Sequence, residues 1–142
     1  MKRNVVLSIR GRQAYPGQEP DVIELVTEGT MEYRDDGWDL RYEESNLTGL
    51  EGVTTTFRVE SKTITLTRTG KLNSQMVFEE GTVHDSLYQL EFGALMISVC
   101  AKQVKWNLNE QGGTIDLVYA IEIEQSAAGT IDYHLEIKSK DP

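Results

Sequence analysis

Alternation of apolar and polar residues at every second position runs through most of this chain, and it constrains the fold more than any other feature. Successive side chains of a strand point to opposite faces, so a period of two marks strands with one buried face. Val5, Leu7 and Ile9 open the pattern; Ile23, Leu25, Met31 and Tyr33 share one parity through Gly29; Trp38, Leu40 and Tyr42 follow. Val53, Phe57 and Val59 lead to Ile64 and Leu66, then to Met76 and Phe78, then to Tyr88, Leu90 and Phe92. Leu95, Ile97 and Val99 precede the longest run, Ile115 to Ile123, and the series Ile131, Tyr133, Leu135 and Ile137 ends it. The pattern predicts about ten strands.

The punctuation agrees with strands joined by short turns. Asp36-Gly37 and Gly112-Gly113 read as tight hairpin turns, because glycine accepts positive φ. Glu80-Gly81 and Ala128-Gly129 mark further turns, Pro16-Gly17 and Pro20 break the chain after the first strand, and Ser45 to Gly52 reads as a polar loop. Val83 to Leu90 comes nearest to a helical period and is short. No connection is long enough for the helical crossover that parallel strands require. The expectation is an all-β fold: a single domain over residues 1–142, built as one antiparallel, mostly up-and-down barrel of about 8–10 strands.

A family resemblance points the same way. Leu40-Arg41-Tyr42-Glu43-Glu44 followed by Gly49, then Arg68-Thr69-Gly70, Phe78, Gly81, Tyr88 and Phe92-Gly93, with Tyr119 in a late strand, are similar in order and spacing to the YwiB-like family of small bacterial proteins of unknown function. The resemblance implies a calycin-like, that is lipocalin-like, β-barrel, and it implies no activity. The Gly-x-Trp pattern of typical lipocalins is missing near the first strand, so it does not extend to a lipocalin-type ligand.

Charge and special residues exclude several functions. The net charge of -9 repels phosphates, so neither nucleic acid nor an anionic membrane is an expected partner. The single cysteine, Cys100, cannot form an internal disulfide, and its parity opposite to Ile97 and Val99 predicts an outward, reactive thiol unless a bulge near Ala101 reverses it. The apolar run from Val5 to Ile9 is too short for a signal peptide or a membrane span, and a cytoplasmic location is expected. Asn46-Leu47-Thr48 matches a glycosylation pattern by chance. Two histidines and one cysteine in no ligand spacing predict no metal, and without a phosphate-binding glycine loop no cofactor is expected.

No catalytic residues emerge. His84-Asp85-Ser86 holds suggestive residue types, yet in a strand Asp85 points away from the other two. The carboxylate pairs Asp35-Asp36, Glu43-Glu44 and Glu79-Glu80 read as mostly solvated or turn residues.

Arg68 is the most informative side chain. It continues the inward parity of Ile64 and Leu66, which predicts a guanidinium on the inner wall near one end of the barrel, opposite a carboxylate or tyrosine hydroxyls. With Trp38, Tyr42, Tyr88, Phe92 and Tyr119 it forms the candidate ligand-binding set. The leading expectation is a non-enzymatic barrel that binds a small anionic or amphipathic molecule. The alternative is a protein-interaction module or homodimer acting through the barrel surface or a sheet edge. An enzyme in the barrel mouth has least support.

Overall fold

The computed structural model describes residues 2–14, 17–45, 50–90, 93–124 and 126–140. Ten strands account for nearly all of them: β1 (Lys2–Ala14), β2 (Asp21–Arg34), β3 (Gly37–Glu43), β4 (Val53–Val59), β5 (Ile64–Gly70), β6 (Ser74–Phe78), β7 (Val83–Leu90), β8 (Gly93–Asn109), β9 (Gly112–Ile123) and β10 (Ser126–Ser139). They form one sheet in the order β6-β5-β4-β3-β2-β1-β10-β9-β8-β7, with every ladder antiparallel. Terminal strands β1 and β10 therefore pair in the middle of the sheet, and its edges are the consecutive strands β6 and β7. A bridge between Asn73 and Gln89 ties those edges and nearly closes the barrel. No helix occurs among the described residues; Val83 to Leu90 is strand β7.

Strand parity came through intact, while several turns moved. The β2–β3 turn is built on Asp35 and Asp36, whose φ values are 50° and 60°, and not on Gly37. The short Asp side chain tolerates that conformation, and Gly37 serves packing: a Cβ there would lie 2.7 Å from the Val59 carbonyl oxygen. Likewise Gly112 and Gly113 begin β9 and do not form its turn. Both have positive φ, and a Cβ on Gly113 would sit 1.8 Å from the Asn107 carbonyl oxygen. Ala128-Gly129 is no turn either, because the β9–β10 register shifts there, between Ala127 and Gly129. A second irregularity follows Cys100, between Ala101 and Gln103, so it does not reverse the thiol. Cys100 is half-buried between the buried Val99 and Ala101, on the outer side of β8.

The core fills one end of the barrel. Val5, Leu7, Leu40, Phe57, Val59, Ile64, Phe78, Ile115 and Leu135 are all at most 1% exposed. Full burial of each such side chain contributes about 1.5–3 kcal/mol. Towards the other end, where β1 finishes and β2 begins, the inward-facing chains loosen: Leu25, Ile121 and Ile123 are only partly buried, and Ile23 is 48% exposed.

Candidate functional site: a polar belt beneath an apolar chamber

The transition between the filled and loose ends is polar. Register places Tyr42 opposite Thr55, Thr55 opposite Arg68 and Arg68 opposite Ser74, so one cross-strand row on β3 to β6 carries four polar side chains. Each shares the parity of buried apolar neighbours in its strand, Leu40, Phe57, Leu66 and Met76, and so faces inward. Glu44 extends the inward parity of Leu40 and Tyr42. It is 7% exposed and accepts a 2.5 Å hydrogen bond from Thr55 Oγ1.

From the opposite wall, Tyr133 of β10 reaches across the lumen. Its register partner Gly11 presents no side chain, and the space a Cβ would take lies 3.6 Å from the tyrosine ring. Tyr133 hydrogen-bonds Tyr42, and its ring centroid lies 6.2 Å from that of Phe57 at the top of the filled core. Tyr42, Tyr133 and Arg68 thus form a floor.

Above that floor are two adjoining spaces. One, of about 320 Å³, has mostly apolar walls including Met76, Ile97, Ile121, Ile123 and Ile131. The other, of about 260 Å³, is bounded by Ile9, Leu25, Tyr42 and Glu44. Gln13, Arg68, Tyr88, Ile131 and Tyr133 line both.

Residues 7–137 match a family described as a domain of unknown function, DUF1934. The chain belongs to this family. Among solved structures, a crystal structure of the YwiB protein from Bacillus subtilis is similar with a TM-score of 0.88 at 20% identity, over 97% of this chain and 92% of that one. At that identity the likeness shows a shared fold alone. No curated protein matches the chain.

Within this DUF1934 domain, the structure brings Arg68, Tyr42, Tyr88 and Tyr119 together around the two spaces. Trp38 stands apart: it pairs with Val59 at the filled end and packs edge-on against Tyr33, with ring centroids 4.9 Å apart. Phe92 lies outside the described residues. Tyr133, Gln13, Ser74 and Glu44 complete the site and were not singled out from sequence. Glu44 corrects the reading of the Glu43-Glu44 pair as solvated; its parity with Tyr42 was the available signal. His84 and Ser86 share a face as expected, but His84 Nε2 lies 3.1 Å from Glu79 while Asp85 accepts a hydrogen bond from Ser98 on the outer face.

Burial dominates the electrostatics. It pushes the Tyr42 phenol well above its ordinary range; the neighbouring Tyr133 and Glu44 add to the rise and the Arg68 charge opposes it. Burial likewise raises Tyr133, again opposed by Arg68. Both hydroxyls stay protonated at neutral pH and can donate hydrogen bonds. Arg68 Nε is itself buried with no hydrogen-bond partner in the protein. Among the described residues there is no group of side chains that could hold a metal ion and no helix long and apolar enough to cross a membrane.

Proposed function

We propose that this barrel binds a small amphipathic anion, its apolar part in the Met76–Ile131 chamber and its charge against Arg68. The observation that carries this reading is the permanently charged guanidinium, with one nitrogen buried and unsatisfied, at the shared wall of two adjoining spaces, the larger of which is mostly apolar. A buried polar group without a partner costs about 1–3 kcal/mol, and such exceptions call for an explanation. An apolar cavity with a few convergent polar groups is the usual form of a small-molecule site. The larger space accommodates about ten groups of water or methylene size, at about 30 Å³ each, which suits a decanoate chain.

The test is displacement of a fluorescent apolar anion by decanoate. Saturable one-to-one displacement is expected in the wild type, and none in Ile121→Trp, which fills the chamber from a half-buried position. Failure of decanoate to displace the probe at any concentration below its micelle threshold would defeat the proposal.

A second reading has one observation behind it. On the outer side of β7 and β8, Val83, Leu87 and Met96 are 60%, 45% and 44% exposed, and Leu87 pairs directly with Met96. That small apolar stripe suits a protein partner. Sedimentation of the wild type and Leu87→Lys would show whether it mediates self-association.

A further inference from the structure

The barrel has one weak seam, and Arg68 lies behind it. Between β6 and β7 no ladder forms among the described residues. Their main-chain tie is the Asn73–Gln89 bridge, in which Gln89 N–H donates to the Asn73 carbonyl at 2.8 Å and Asn73 N–H to the Gln89 carbonyl at 3.1 Å. At the other end of the gap the chain turns tightly, and Thr82 N–H donates to the Glu79 carbonyl at 3.0 Å. The outside of the gap is a polar slot of about 540 Å³ whose walls include Asn73, Gln75, His84, Ser86 and Gln89. Arg68 lines this slot and both interior spaces, so its side chain is the partition between them.

The partition is also where hydrogen bonding is least satisfied. Among the described residues, the buried side-chain polar atoms without a partner are Arg68 Nε and Ser74 Oγ. These two residues are register partners on β5 and β6. A cationic N–H and a hydroxyl on paired residues can serve as a two-point donor set for one oxyanion. Both atoms are buried in the closed barrel, while the Arg68 and Ser74 side chains line the slot at the seam, so parting the seam sets both on the path of an anion entering from the slot. That bridge and, at the turn end, the His84–Glu79 contact hold the seam, whereas every other pair of neighbouring strands is held by a full ladder.

We infer that the β6–β7 seam is a lateral door, and that Arg68 Nε and Ser74 Oγ behind it are the seat of the ligand's oxyanion. The ligand class is then an amphiphile with a carboxylate or phosphate head, received through the side of the barrel with its tail passing inward above the Tyr42–Tyr133 floor. The inference rests on the binding reading above and adds the head group and the route.

The experiment uses decanoate and uncharged decanol on the full chain. In an Asn73→Cys/Gln89→Cys variant with Cys100→Ser, the new cysteines occupy a hydrogen-bonded antiparallel pair, where Cα atoms lie about 5.5 Å apart, within disulfide range. Oxidation should slow decanoate association and dissociation roughly tenfold or more, as expected for a locked gate, and reduction of the same sample should restore both. Ser74→Ala should weaken decanoate about tenfold relative to decanol, the loss of one hydrogen bond to a charged group. Because the substitution removes an unsatisfied hydroxyl, it should leave the denaturation midpoint unchanged or raised. Unchanged rates on oxidation, or an unchanged decanoate-to-decanol ratio in Ser74→Ala, would overturn the inference and leave cavity binding standing. Failure of the reduced protein to bind either compound would overturn the binding reading, and this inference with it.

Discussion

Replacing Arg68 by methionine separates scaffold from site. If the guanidinium were half of a structural ion pair, its loss would strand a buried partner and cost about 3–5 kcal/mol. The structure gives a different balance. The substitution removes a buried Nε without a partner, which costs the wild type about 1–3 kcal/mol. Against that, it forfeits the attraction of the guanidinium for the Tyr42 and Tyr133 hydroxyls, worth about 1–2 kcal/mol, and its charge near the buried Glu44 carboxylate, which keeps its hydrogen bond from Thr55. Methionine fills most of the space and suits the apolar wall. The net change therefore runs from about 2 kcal/mol stabilising to about 1 kcal/mol destabilising. With a urea slope of about 2 kcal/mol/M, this lowers the midpoint by at most about 0.5 M, while the scaffold role requires a loss of about 1.5 M or more. Urea titration followed by tryptophan fluorescence is sufficient, since Trp38 and Trp106 are both partly buried. A loss of about 1.5 M in Arg68→Met would refute the reasoning, and so would wild-type affinity for decanoate in the same variant.

Three further outcomes follow from the geometry. The raised Tyr42 pKa makes the folded state hold a proton that the unfolded chain releases near pH 10, so stability is full below that value and falls as pH rises above it; the loss from Tyr42 is on the order of 1 kcal/mol at pH 11, and Tyr42→Phe should remove that part of the alkaline slope in urea titrations. His134, whose Nδ1 lies 2.5 Å from Asp116, has its pKa raised chiefly by that hydrogen bond; its stabilising contribution is present at acid pH and lost as pH rises through the folded value, and NMR titration should find a midpoint above 6.5 that Asp116→Asn lowers. Gly113→Ala should cost about 3 kcal/mol or more, because it puts a methyl on the Asn107 carbonyl at a positive φ, and an unchanged melting temperature would show that β8 and β9 yield there.

The sequence made the barrel legible because its buried and solvated faces differ so sharply. Parity alone put Arg68 inside, facing either a carboxylate or tyrosine hydroxyls. The turns were less legible: Asp35 and Asp36 take the left-handed conformations that glycine would ordinarily supply, and Gly37, Gly112 and Gly113 answer to close neighbouring carbonyls that no local pattern reveals. The site was half legible for a related reason. Which strands face each other across the lumen depends on β1 pairing with β10, a contact between opposite ends of the chain. Without it, Tyr133 could not be set against Tyr42, nor Trp38 assigned to the filled end. Glu44 was readable by parity, but its polarity suggested solvent; the row Tyr42–Thr55–Arg68–Ser74 and the hydrogen bond from Thr55 to Glu44 show the belt.

The central claim is that a small amphipathic anion occupies the loose half of the barrel against Arg68. Amide chemical shifts of the labelled protein, followed during titration with decanoate, test it most directly. The account predicts saturable shifts at Gln13, Arg68, Ile97, Ile121 and Ile131, with Val5, Phe57 and Ile115 in the filled half unmoved. Shifts confined to the outer stripe around Leu87 and Met96, or no saturable shifts at all, would contradict it.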